Sequence, residues 1–487
     1  MKGPIQPGRV LENAPVGLRR VRDLNPLFTG FVLLSAAASV ALVFQSGVLF
    51  GIVVVASVVS LVAAIVWPWM PVGVFLLAMP FMLVELGGGV QVAHVLGAAS
   101  AAGVLWATTL SARGLRGSPM LFGGALMVTA YLVATMTAAS PLASLKLGSI
   151  GFVGFGLACA IVQVAPSRAG LIWILRSWLI GALISVGPFL FQDHSLTVEY
   201  GGAAVRGRVS GVFGQPNYMV EVCMFSVFIA LALMWTSTSG FDRVFAILAI
   251  VVNTAGAVLT LSRGGFMGLG AATLALCLLV PRVWKVVLGV IAGVATLLVV
   301  GAVVGAPLVS VVLERVGSIT SAGSGPADER PLVWTEAIRW WSESQLLGIG
   351  PGGFLARSGA AGSLLAPEGF YHAHNFVLQI GVEGGLVGLL AFLTAAGIGI
   401  SMTLRAIFRQ RDTVLPAPAL AALLAGLAGA AVHGFVDFLY SNVVMIVLLA
   451  VYLGIMAAGV SPLSGSEDQR PIHLRAIDRR KPTRMTL

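Results

Sequence analysis

The chain has 487 residues, 58% of them hydrophobic and 10% charged, with a mean hydropathy of +0.97. That balance excludes a soluble globular protein. The formal net charge of +10 does not point to nucleic acid, because the basic residues gather at the termini and in alternate short loops, as orientation in a membrane requires.

Residues 1–26 carry Lys2, Arg9, Arg19, Arg20 and Arg22. They show no small-residue cleavage site and are expected to remain cytoplasmic. Apolar runs long enough to cross a hydrocarbon core of about 30 Å then recur along the chain. They fall at roughly 27–45, 48–67, 69–87, 90–110, 119–137, 147–165 and 169–191, then at roughly 217–237, 244–262, 264–281, 284–304, 375–402, 415–434 and 441–460. The expected fold is therefore all-α and polytopic, with about 12–14 transmembrane helices. Its organisation is a basic cytoplasmic N-terminus (1–26), a transmembrane bundle (27–304), an extracytoplasmic loop (305–374), helices that complete the bundle (375–460) and a basic cytoplasmic tail (461–487). Cys159, Cys223 and Cys277 all lie in apolar runs, without metal-ligand spacing, and read as packing residues.

From an inside N-terminus, the cytoplasmic connections hold Arg113, Arg116, Arg168, Arg243, Arg282, Lys285, Arg405, Arg409 and Arg411. Few cations remain for the outer face: Arg206 and Arg208, Arg263, and Arg315, Arg330, Arg339 and Arg357 in the long loop. A loop of that length is too long for a helix hairpin and reads as functional. Residues 329–343, with Pro331 in the first turn, predict an amphipathic helix whose Trp334, Trp340 and Trp341 suit the headgroup level.

Four outer-face motifs carry polar chemistry. The first runs from Arg208 to Pro216-Asn217 and leads into the span that carries Glu221. The others are Ser262-Arg263-Gly264-Gly265, Arg330, and Tyr371-His372-Ala373-His374-Asn375 at the mouth of a span. Arginines outside the membrane run against the positive-inside bias, and guanidinium pairs bidentately with phosphate oxygens, so the cluster suits an anionic headgroup such as a diphosphate. Arg176, about six residues from the cytoplasmic end of its span, reads instead as snorkelling. Asn375 also suits helix capping. Glu383 is nine residues beyond His374 and projects from roughly the opposite helix face. His433 and Asp437, four apart, share a face and read as interhelical hydrogen-bonding groups. The glycine-rich turn at 348–353 lacks the lysine of a phosphate-cradling loop. No acidic pair and no His/Cys set has metal-ligand spacing on the outer side, so chemistry without a required metal or cofactor is expected.

His374-Asn375, then nine residues, then Gly385-Leu-Val-Gly388 resembles the signature of the O-antigen ligase and polymerase family of membrane glycosyltransferases. The Arg208 to Asn217 segment, Ser262-Arg263-Gly264, Arg330 followed by Trp334, and the large loop before the histidine are similar to its other landmarks. The resemblance covers roughly residues 200–440. It implies a C-type glycosyltransferase-like helical fold and transfer of a glycan en bloc from a polyprenyl-diphosphate donor, such as undecaprenyl diphosphate, to an acceptor hydroxyl. It further implies a glycan or glycolipid acceptor, in surface polysaccharide or lipopolysaccharide assembly, outside the cytoplasmic (inner) membrane.

In the mechanism these residues permit, His374 is the general base, and Arg263 and Arg330, with Arg208 as a third contact, bind the diphosphate. Asn375 and Tyr371 orient the base or a sugar hydroxyl, and Asn217 and Glu221 support the site. A polymerase extending a lipid-linked chain and protein-directed O-glycosylation are the alternatives within the family. A lipid or polysaccharide flippase, which would place charges at mid-depth, is the rival from another class.

Overall fold

The computed structural model describes residues 67–87, 90–110, 115–164, 168–191, 197–200, 203–206, 208–304, 330–365, 372–409, 412–437, 440 and 442–462, with further positions between 55 and 64 and between 309 and 317. Both basic termini, the expected span at 27–45, most of that at 48–67, and Tyr371 lie outside the described residues.

The described residues are helical almost throughout. In chain order the helices are α1 (Met70–Leu77), α2 (Val92–Leu110), α3 (Pro119–Ala134), α4 (Pro141–Val164), α5 (Arg168–Val186), α6 (Pro216–Thr236), α7 (Gly240–Leu259), α8 (Arg263–Leu279) and α9 (Trp284–Val303). α10 (Arg330–Glu343) and α11 (Gly353–Ser358) lie in the long loop, and α12 (Phe376–Phe408), α13 (Ala417–Gly434) and α14 (Val443–Gly459) complete the set. Two small antiparallel hairpins interrupt them, β1 (Glu85–Gly87) with β2 (Val90–Gln91), and β3 (Thr197–Tyr200) with β4 (Ala203–Arg206). Among the described residues nine helices are long and apolar enough to cross a membrane, and α8 and α14 are shorter apolar helices beside them. The chain is an all-α polytopic membrane protein.

Local chemistry explains many of the boundaries. Ser118 caps α3 by accepting from the Met120 N–H, Ser262 caps α8 through the Gly265 N–H, and Asn442 caps α14 through the Val444 N–H. The expected span at 69–87 is not a continuous helix. α1 ends at Leu77, and a single 3₁₀ turn, Met79–Phe81, holds Pro80, which has no N–H to continue a helix; β1 follows.

α6 is the centre of the bundle, packed by α5, α7 and α13 and buried around most of its circumference. Beside it Trp178, Phe225 and Tyr452 form an aromatic cluster, with Phe225 and Tyr452 stacked at 4.4 Å. Its polar tips are satisfied, since the Trp178 indole donates to Ser226 Oγ at 3.0 Å and the Tyr452 hydroxyl to the Leu423 carbonyl at 2.8 Å. α8 and α13 approach so closely that a Cβ on Gly268 would lie 2.8 Å from the Gly429 carbonyl oxygen, and one on Gly429 2.6 Å from that of Gly268. Small residues that let backbones meet are how helices pack in lipid, where no hydrophobic drive exists between them.

Arg176 corrects the snorkelling reading. Its guanidinium grips the buried Asp242 carboxylate with two bonds of 2.8 Å, Ser237 donates to the same carboxylate, and the Trp173 ring lies 4.6 Å away. The residue joins α5 to α7 as a bidentate ion pair rather than reaching for headgroups.

Candidate active site

Asn375 caps α12 by accepting from the Val377 and Leu378 N–H groups at 2.9 and 3.1 Å, and its amide donates to the Phe435 carbonyl at 3.1 Å. The capping reading of Asn375 therefore describes its contacts, and its amide ties the start of α12 to the end of α13. His374 precedes it with φ +50°, a left-handed backbone that a non-glycine residue rarely adopts. That conformation turns the ring toward the chain beyond α13, where His374 Nδ1 meets Asp437 Oδ1 at 2.8 Å. Asp437 is 2% exposed and His374 is half-buried, so the pair runs from the interior outward.

Asn217, near the start of α6, donates its amide to Asp437 Oδ2. Its carbonyl oxygen accepts from Ser262 Oγ at 2.8 Å and from Arg208 Nη2 at 3.4 Å. Arg208 Nε also donates to the Thr260 carbonyl at 3.0 Å. Ser262 is the cap of α8, so Arg263 opens that helix one residue from this network. Leu261, just before the cap, has φ +51°; with His374 it is one of two non-glycine residues of positive φ among those described, and both flank the same network.

His372 is buried beside the pair. Its Nδ1 accepts from the His374 backbone N–H at 3.3 Å and lies 3.8 Å from Asp437 Oδ1, and the two imidazoles meet edge to face at 4.3 Å. Burial lowers the His372 pKa to about 4; the Asp437 charge opposes that shift, while His374 and Arg330 reinforce it. Burial alone would raise the Asp437 carboxyl, but the His374 hydrogen bond and the nearby charges of His372, His374 and His433 hold it well below the usual carboxylate range. The effect of Arg330 on His372 brings α10 into the electrostatics of the site.

α10 matches the predicted amphipathic helix, but its tryptophans differ in use. Trp340 is buried against Phe354 at 5.1 Å, and Trp341 covers Gly381 of α12, where a Cβ would lie 2.8 Å from the indole. These two rings form the loop's own core against α12 instead of a headgroup belt. The glycine-rich turn serves the same docking. α12 breaks at Gly385 (φ +61°, ψ −161°), and its backbone is completed by the loop: Leu386 N–H donates to the Gln345 carbonyl at 2.8 Å, and Gly350 N–H to the Glu383 carbonyl at 3.0 Å. The Glu383 carboxylate accepts from the Gly352 N–H at 2.9 Å and the Phe354 N–H at 3.4 Å. Glu383 is thus a clamp for the loop and no partner of His374.

Glu221 lies one layer deeper. Its carboxylate meets His433 Nδ1 at 2.9 Å and accepts from the Tyr440 hydroxyl at 3.0 Å, which confirms interhelical bonding for His433. Asp437 lies beyond the end of α13 at Gly434, where its N–H still donates to the His433 carbonyl at 3.0 Å, and its carboxylate bonds to His374 and Asn217. Spacing along the chain predicts no acidic pair or His/Cys set of metal ligands on this side, and the fold brings together residues that such spacing does not group. His372, His374 and Asp437 place ligand atoms within 4.8 Å of one another. The set is hidden from spacing because 63 positions separate His374 from Asp437.

The arrangement is a histidine oriented by a buried carboxylate, bordered by the arginine-bearing starts of α8 and α10 and by Arg208. No curated protein matches the chain. Residues 244–393 match the family model described as O-antigen ligase, a stretch that contains Arg263, Arg330, His374 and Asn375 while Arg208, Asn217, Glu221 and Asp437 lie outside it. The match supports assigning the chain to the O-antigen ligase family.

Proposed function

We propose that the chain is a membrane glycosyltransferase that moves a glycan en bloc from a polyprenyl-diphosphate donor to an acceptor hydroxyl at the outer face of the cytoplasmic membrane, with inversion at the anomeric carbon. The observation that carries this reading is the 2.8 Å contact between His374 Nδ1 and the buried Asp437 carboxylate. A proton on Nδ1 donated to Asp437 leaves the lone pair at Nε2, the nitrogen that takes the acceptor's proton. Asp437 stabilises the imidazolium that forms, a general-base role worth about 10²–10⁴ in rate. The oxygen so released attacks the anomeric carbon, and the bond to the diphosphate breaks.

Arg263 and Arg330 bind the departing diphosphate and offset the charge that builds on it. Arg208, held by Thr260 and Asn217, is the third cation. Asn217 belongs to the site as the link between Asp437, Ser262 and Arg208, and Glu221 supports it from below.

The test uses purified protein in nanodiscs with a polyprenyl-diphosphate oligosaccharide. His374→Ala is expected to abolish most transfer while keeping a monodisperse, folded protein, and near-normal turnover would remove the assignment. Arg330→Lys keeps the charge but loses the bidentate fork, so transfer is expected to fall at least tenfold; an unchanged rate and donor affinity would make Arg330 structural. The same assay separates the two family activities. A single acceptor-dependent product identifies a ligase, and a ladder from donor alone identifies a polymerase.

A further inference from the structure

We infer that His372, His374 and Asp437 form a binding site for a divalent transition-metal ion of the Zn²⁺ type, and that filling this site inhibits the enzyme. The inhibitory half rests on His374 acting as the base.

The donor set is two imidazoles and one carboxylate, a combination suited to Zn²⁺ and its neighbours and poorly suited to Mg²⁺ or Ca²⁺. The three ligand atoms lie within 4.8 Å, with Asp437 Oδ1 at 2.8 Å from His374 Nδ1 and 3.8 Å from His372 Nδ1. Bonds of about 2.0–2.1 Å in a tetrahedral site set ligand atoms about 3.3 Å apart. The two Asp437 separations bracket that spacing, and the pair of imidazoles, within 4.8 Å of each other, draws in by up to about 1.5 Å to close on an ion.

The supporting groups are in place. Asn217 holds Asp437 Oδ2, which leaves Oδ1 directed at both histidines. His372 keeps Nδ1 unprotonated, since that atom accepts the His374 N–H, and an ion takes the lone pair by displacing that N–H. His372 and Asp437 are buried, whereas the His374 side chain is 27% exposed and gives the ion its way in. The Arg330 charge acts on His372 and opposes any cation here, which suits a reversible inhibitor rather than a resident ion.

Metal bonds then form to Nδ1 of both histidines and to Oδ1; the His374–Asp437 hydrogen bond breaks, and the His374 backbone N–H gives up His372 Nδ1 as its acceptor. A neutral imidazole metallated at Nδ1 carries its proton on Nε2. The His374 proton therefore passes through solvent from Nδ1 to Nε2, with no net release, and the lone pair that would accept the sugar proton is gone.

Tag-free protein in nanodiscs is titrated with ZnCl₂ by calorimetry and, separately, with Co²⁺ by its visible absorption bands. One ion per chain is expected, with affinity reduced at least tenfold in both His372→Ala and His372→Gln, the latter retaining an acceptor for the His374 N–H. No ion bound by either method, or wild-type affinity retained in both variants, overturns the site. Zn²⁺ is then added to the transfer assay, where reversible inhibition relieved by EDTA is expected in the wild type. One bound ion without inhibition overturns the inhibitory half and counts against His374 as base, whereas absent binding leaves the base assignment standing.

Discussion

At the scale of single residues the site is an exercise in fixing one proton. His374 sits in a strained backbone whose N–H is taken by His372, whose ring is held by Asp437, and whose carboxylate is in turn held by Asn217. Asp437→Asn keeps the shape but can present an amide N–H, which stabilises the tautomer with its lone pair facing inward. We expect kcat to fall by about 10²–10⁴ with little change in donor affinity, measured by transfer rate and by binding of the donor. A loss confined to KM would instead make Asp437 a binding residue. The same groups set a pH dependence. The His372 pKa, lowered to about 4 by burial, lies below the ordinary histidine value of about 6.5. Between those values the unfolded chain takes up a proton that the folded chain refuses, so stability falls as pH drops from 7 toward 4. Asp437, held below the usual carboxylate range, adds a loss of the same sign as pH falls further. The thermal midpoint in detergent is expected to decline from pH 7.5 to 5, and His372→Gln to flatten that slope; an equal slope in the variant would locate the acid sensitivity elsewhere.

At the scale of elements the long loop and α12 are one unit. Gly385 adopts a backbone that only glycine tolerates, and a Cβ there would lie 2.4 Å from the Leu346 carbonyl oxygen and 2.5 Å from the Gly348 nitrogen. The break places the 345–354 segment against α12, and the segment joins α10, which bears Arg330, to the helix that His374 precedes. Gly385→Ala is expected to cost about 1–3 kcal/mol in backbone strain and as much again in overpacking. Gly397→Ala on the same helix meets nothing within 4 Å and should be neutral or stabilising by up to about 1 kcal/mol. Thermal midpoints of the two variants check this, and equal effects would deny the kink its role. The spacing of His374, Gly385 and Gly388 was readable along the chain, yet what Gly385 does was not, because its partner is a backbone some forty residues earlier. The same limit hid Asp437 and His372 as a pair, and Asp242 as the partner of Arg176. Each is a contact between elements far apart in sequence, and hydropathy carries no record of it.

At the scale of the molecule, hydropathy and loop charge carried more. They predicted the long helices, the amphipathic α10, and the grouping of Arg208, Arg263, Arg330 and His374 on one face from charge bias alone. Contacts join two of those residues, Arg208 and His374, through intermediaries. Arg208, Ser262, Asn217, Asp437 and His374 join in one network. Elsewhere, the Arg116 backbone pairs with Gln163, and Arg168 donates to the Val414 carbonyl, so the arginine-bearing connections gather together. The positive-inside bias predicts that the second group faces the cytoplasm and that the His374 network faces out. Single cysteines test this directly, since Cys223 and Cys277 are buried and Cys159 is half-buried, which keeps background labelling low. Ala361 in the loop and Asp412 beyond α12 are both exposed. A membrane-impermeant maleimide applied to intact cells, with the outer membrane opened where one is present, is expected to label Ala361→Cys. Asp412→Cys should react only once the cytoplasmic membrane is permeabilised. The reverse pattern would turn the bundle over, place His374 on the cytoplasmic side, and remove the basis for transfer at the outer face.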